Sequence, residues 1–166
     1  MRVRPRDAGA VVMAVEISRI ETPSSHDWDA VWRDCDYATY FHSREWAEIW
    51  QDYGRGAVKP APKMVYFSDG KRALLPLTVR RGIFRKTTLS SPADTYGGWI
   101  STDTLTKDHA ALLAHYLLDG RSGIVWRMNP YDTSLSGLAV PEAREDYTHT
   151  LDLSRQAEGV WPHWVH

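Results

Sequence analysis

Cysteine occurs once in the 166 residues, at Cys35, so no disulfide can form within the chain and no Cys-x-x-Cys zinc ribbon is present. No apolar run approaches the roughly 20 residues of a membrane-spanning helix, so no membrane span is expected. There is no Gly-x-Gly-x-x-Gly, no phosphate-loop lysine motif and no Gly-x-Ser-x-Gly nucleophile elbow. Cys35 itself falls on the apolar stripe of a helix, where thiols are inert. His163 and His166 have no companions for a metal site, and His109 and His115 sit on different faces of one helix as surface or packing side chains. A catalytic site built wholly within this chain is therefore unsupported, and no general base is named.

Charge is nearly balanced, with 20 basic and 21 acidic residues. The balance hides two regions. Residues 21–54 hold eight acids and two bases, whereas residues 59–86 hold eight bases and only Asp69 as an acid. The basic region reads either as a solvated hairpin face or as an attractor of phosphate or carboxylate. With Phe67 and Phe84 nearby it also admits a nucleic-acid reading, but no recognition module accompanies it and DNA is not expected as a partner.

Arg2, Arg4 and Arg6 ahead of the apolar run Ala8–Val15 faintly resemble a signal peptide, but Asp7 interrupts the charged start and no cleavage site follows. Residues 1–14 read as a disordered lead, with Met13 an alternative start, and residues 15–166 as one domain of a cytoplasmic protein.

Val15–Ile20 reads as a strand. Ser24 and Asp27 form a capping box before a helix striped by Trp28, Val31, Trp32 and Cys35. Ser43 caps a second helix, striped by Trp46, Ile49, Trp50 and Tyr53 and closed by Gly54. Residues 55–62 read as a loop. Met64–Phe67 and Arg72–Arg80 form a hairpin about Asp69-Gly70, with Pro76 marking an edge or bulge, and Thr87–Leu89 a third antiparallel strand. Thr106 caps a helix striped by Leu112, Leu113, Tyr116 and Leu117 and ended by Gly120. Gly123–Met128 is a strand, residues 129–147 a polar loop, Thr148–Leu153 a last strand, and Ser154 the cap of a helix broken at Pro162. The order implies an α+β fold: a mixed, largely antiparallel sheet flanked by helices.

Two segments carry candidate chemistry. In Phe41-His42-Ser43-x-x-Trp46, helix N-terminal amides could receive an anion while His42 and Trp46 add a donor and a flat face; the same residues also suit core packing around a cap. In Asp94-Thr95-Tyr96-Gly97-Gly98-Trp99, the paired glycines permit either a tight turn or close approach to a ligand flanked by Tyr96 and Trp99.

Taken as an ordered set, Trp32-x-x-Cys35, Tyr40-Phe41-His42-Ser43-x-x-Trp46, Ala73-Leu74-Leu75-Pro76-Leu77 and Ser90-Ser91-Pro92 running into Tyr96-Gly97-Gly98-Trp99 resemble FemAB-like proteins, GNAT-family acyltransferases that include the peptidoglycan-bridge aminoacyltransferases. The resemblance implies a GNAT-like domain, the N-terminal half of a tandem protein, cut before the second domain. It implies a small-molecule or peptide amine acceptor, bound by His42, Ser43, Trp46, Tyr96, Gly97, Gly98 and Trp99, with Arg80 and Arg85 near its phosphates or carboxylates. Acyl-CoA or aminoacyl-tRNA would serve as donor only in a complete protein, and no cofactor is expected on this chain. Trp50 stands where peptidoglycan members often carry lysine. The alternative is a non-catalytic module that pairs with a second GNAT-like domain or chain.

Overall fold

A computed structural model describes residues 14–82, 85–119, 123–138, 140 and 143–144. The expected strand at 148–153, the helix after Ser154, Gly120, Phe84 and the His163–His166 pair lie outside these residues. The described chain is α+β, as its pattern implies, with three helices and two sheets in place of one.

Strand β1 (Ile17–Glu21) leads into helix α1 (Ser25–Asp34), where the Ser24 hydroxyl accepts the Asp27 amide at 3.1 Å. A 3-10 turn, Tyr40–His42, precedes α2 (Arg44–Tyr53), and the Ser43 hydroxyl caps α2 by accepting the Trp46 amide at 3.1 Å. Strand β2 (Val58–Pro60) lies in the stretch read from sequence as loop. It pairs at the sheet edge with β5, a position that tolerates Pro60 because an edge strand need not donate outward.

Strands β3 (Lys63–Phe67) and β4 (Arg72–Leu75) form the expected hairpin. Its loop is closed by the Gly70 amide on the Phe67 carbonyl and the Phe67 amide on the Lys71 carbonyl. Only Gly70 adopts positive φ, at 89°; Asp69 does not. This is the three-residue form with a glycine bulge. The expected long strand 72–80 breaks at Pro76. Beyond it β5 (Thr78–Arg81) joins the other sheet, because proline cannot donate to the first ladder.

One sheet is antiparallel, in the order β1-β3-β4. The other, β2-β5-β6-β7, adds β6 (Lys86–Leu89) antiparallel to β5 and β7 (Gly123–Val125) parallel to β6. Helix α3 (Lys107–Leu118) spans the parallel crossover. Strand β7 is shorter than the expected 123–128; Met128 returns as an isolated bridge to Gly97.

Alternation along β3 and β4 places the helices. The paired Met64 and Leu74 pack with Trp28, Val31, Cys35 and Ala47 of the α1/α2 layer. The paired Val65 and Ala73, with Phe67 and Leu75, pack with Ala110, Leu113, Ala114 and Leu117 of α3. A strand with both faces buried this way needs a helix on each side. Of the α2 stripe, Trp46 and Trp50 are half-buried, Ile49 and Tyr53 are exposed, and the residue that enters the core is Ala47.

Leu74 is fully buried and exchanges both backbone hydrogen bonds with Ile100 at 2.8 Å. Leu74→Ala is expected to cost about 3 kcal/mol through lost burial and a residual cavity, read as a lower urea midpoint at unchanged m-value.

Candidate functional site

The site is built around the turn at residues 39–42. Trp28 and Trp32 of α1 donate their indole N–H groups to the carbonyls of His42 (2.8 Å) and Thr39 (2.9 Å). Arg44 at the start of α2 grips Asp29 of α1 through Nε and Nη2, both at 3.0 Å. The His42 Nδ1 accepts the Thr39 amide at 3.1 Å, so its proton stands on Nε2. That Nε2–H is buried and has no partner among the described residues. Burial pushes the His42 pKa down to about 4, against a smaller upward pull from the Thr39 backbone. The Ser43 and Trp46 amides are spent on the Tyr40 carbonyl and the Ser43 hydroxyl, so these donors do not face outward for an anion.

The loop after β6 meets this turn. The Ser91 hydroxyl donates to the Phe41 carbonyl at 3.3 Å and lies 2.7 Å from the Thr95 hydroxyl. Ala93 and Asp94 both sit at positive φ, 58° and 54°. Two successive non-glycine residues there cost about 1–2 kcal/mol each, a strain that collects at functional sites. Gly97 is needed for close backbone packing: a Cβ would collide with the Ser90 carbonyl, while the Gly97 amide bonds the Arg127 carbonyl at 2.8 Å. Gly98, at φ 123°, leaves room for the Trp126 indole. The close approaches that the glycine pair permits are therefore internal.

Aromatic rings then form a chain of successive contacts. Tyr131 lies 6.4 Å from Tyr96, Tyr96 lies 6.0 Å from Phe41, and Phe41 lies 5.3 Å from Trp46. Trp46 continues to Trp50 at 5.8 Å and Trp50 to Tyr53 at 5.1 Å, mostly edge to face. The indole N–H groups of Trp46 and Trp50 are buried without a hydrogen-bond partner among the described residues. At the Tyr131 end opens a depression of about 430 Å³ lined by Asp36, Tyr37, Ala38, Thr39, Tyr131 and Thr133. Beside it, burial pushes the carboxyl of Asp132 up and, with the charge of Asp132, raises the Tyr37 phenol well above its ordinary range.

The structure thus brings His42, Ser43 and Trp46 together with Tyr96. Trp99 turns the other way into the α3 core, 1% exposed, with its indole 3.3 Å from the Ser134 hydroxyl. Arg80 and Arg85 are not brought to this place. Arg85 precedes β6 and Ser91 follows it, about 20 Å apart at roughly 3.3 Å per residue, and Arg80 pairs with Thr87 near the start of that strand. Sequence reasoning missed Asp36, Thr39, Tyr131 and Thr133; the Thr39-x-x-His42 spacing, matching Thr106-x-x-His109, was the available signal for Thr39. Burial raises the Cys35 thiol pKa, in keeping with an inert side chain. Within the loop between β6 and α3, the amides of Thr95, Gly97, Ile100 and Thr106 bond protein acceptors. Among the described residues no group of three or more His, Cys, Asp or Glu could hold a metal ion.

Compared with known proteins, the chain matches no family model, no curated protein and no solved structure.

Two outcomes follow for this region. The folded chain resists protonation of His42 and the unfolded chain does not. The contribution of His42 is therefore complete above the ordinary histidine pKa of 6.5 and is lost as pH falls from there to about 4. Denaturant titrations across that window should lose about 3 kcal/mol from this group, a slope absent in His42→Gln. Gly97→Ala should cost about 3 kcal/mol, since the Ser90 backbone cannot yield as a flexible side chain would; calorimetric melting checks it.

Proposed function

We propose that this chain is the acceptor-binding half of a FemAB-like, GNAT-fold transferase that moves an acyl or aminoacyl group onto an amine. The observation that carries this reading is the meeting of its two motif segments: Ser91 on the Phe41 carbonyl, and the Phe41 ring against Tyr96. The chemistry beside that junction suits an amine. Tyr131, half exposed, offers a π face to a cation, and Asp36 offers a carboxylate with no ion pair among the described residues. Thr39 and Thr133 add hydroxyls at the same depression. Catalysis would consist mostly of holding the amine against a thioester or ester carbonyl. The donor, acyl-CoA or aminoacyl-tRNA, would be held by a further domain or chain.

A second reading, a non-catalytic pairing module, is favoured by one observation. Tyr40 and Ile49 are each 49% exposed and Tyr53 is 77% exposed, a row of large apolar side chains on and beside α2.

Calorimetric titration with a nucleotide-linked cell-wall precursor and, separately, acetyl-coenzyme A separates these readings. The transferase reading expects precursor binding without coenzyme A binding, weakened up to about tenfold by Tyr131→Ala or Tyr96→Ala. Binding of neither ligand favours the pairing module, and tight coenzyme A binding overturns the half-site reading.

A further inference from the structure

The end of the four-stranded sheet remote from the aromatic junction carries a second feature. Arg80 and Arg81 close β5, Arg85 and Lys86 open β6, and Lys59 lies on the neighbouring edge strand. All five are exposed, and none makes an ion pair among the described residues. Arg81 stands directly opposite Lys86, and like charges in that register destabilise a sheet. An acid, Asp52, stands in the last turn of α2.

The cations surround this end. Val58 points at α2, its Cγ2 being 3.7 Å from where a Cβ on Gly54 would stand. Arg80, directly opposite Val58, shares the α2 face. Lys59 and Arg81 stand on the opposite face, with Lys86 across from Arg81. Tyr53, 77% exposed, and the exposed Arg55 stand at the end of α2, the helix packed against β2.

We propose that this end of the sheet docks on an anionic lipid bilayer. Cations on both faces of a strand end suit contact with a headgroup layer, which can meet either face; a groove for one extended polyanion would be lined on one face. An exposed tyrosine on the helix packed against β2 fits the headgroup level, where one end of the ring is apolar and the other wet. This surface stands apart from the acceptor reading, since it lies at the other end of β6.

Flotation of the full chain with vesicles tests the idea. Binding is expected to vesicles of phosphatidylcholine mixed with phosphatidylglycerol, not to phosphatidylcholine alone, and to be released by added salt. Charge reversal in Arg81→Glu with Lys86→Glu should lower partitioning by about tenfold or more. The milder Lys59→Gln with Arg85→Gln should act in the same direction and guards against a folding defect in the first variant; circular dichroism checks both. No preference for the anionic vesicles, or binding indifferent to both variant pairs, overturns the proposal. So does retention by single-stranded RNA at salt that releases the vesicles, which would make this a nucleic-acid face.

Discussion

The backbone at residues 39–42 forms no strand ladder and only one short turn, so its polar groups must find partners elsewhere. They find them in three directions. The Trp28 and Trp32 indoles take the carbonyls of His42 and Thr39, Ser91 takes that of Phe41, and the His42 ring takes the Thr39 amide. These bonds tie α1, the start of α2 and the loop after β6 to one point. The position of Phe41, and through it the chain of ring contacts from Tyr131 to Trp46, depends on that anchoring. Two tryptophans that read from sequence as hydrophobic bulk are also hydrogen-bond donors, and that second role orients the junction.

The same local device occurs twice with different endings. In Thr106-x-x-His109 the ring Nδ1 accepts the Thr106 amide at 3.1 Å, and Nε2 donates to Asp69 at 3.1 Å. This links α3 to the β3–β4 hairpin. In Thr39-x-x-His42 the first half is repeated, but no acceptor among the described residues meets Nε2. A buried donor left this way costs about 1–3 kcal/mol. Two consecutive left-handed residues, Ala93 and Asp94, add strain at the same junction; elsewhere the Thr78 hydroxyl of β5 and the Trp126 indole beside Gly98 are also buried without a partner among the described residues. The conformation of the glycine pair, by contrast, is accounted for by Ser90 and Trp126.

Much of the scaffold was legible because its signals are local. Ser24 and Ser43 cap the helices that follow them, and Gly70 turns the hairpin. Trp28, Val31 and Cys35 are buried along one stripe as their spacing implied. Legibility failed where burial depends on what lies opposite. The stripe Trp46, Ile49, Trp50 and Tyr53 has the periodicity of a core face, yet Ala47 is the residue that enters the core. Periodicity reports that a helix has an apolar side, not that a neighbour covers it. The strand at Val58–Pro60 was hidden in the same way, since its pairing partner is twenty residues away across the sheet.

The sequence by itself determined the class of the fold, the helix starts, the hairpin turn and the separation of an acidic from a basic region, because each follows from residues within a turn or two of one another. Tertiary structure alone decided that Pro76 divides two sheets and that Tyr96 and Trp99, three residues apart, face an open junction and a closed core. It also decided that Arg80 and Arg85 stand at the other end of β6 from Ser91. These outcomes depend on strand pairing across long stretches of chain, and a strand displaced by one residue turns every side chain to the opposite face.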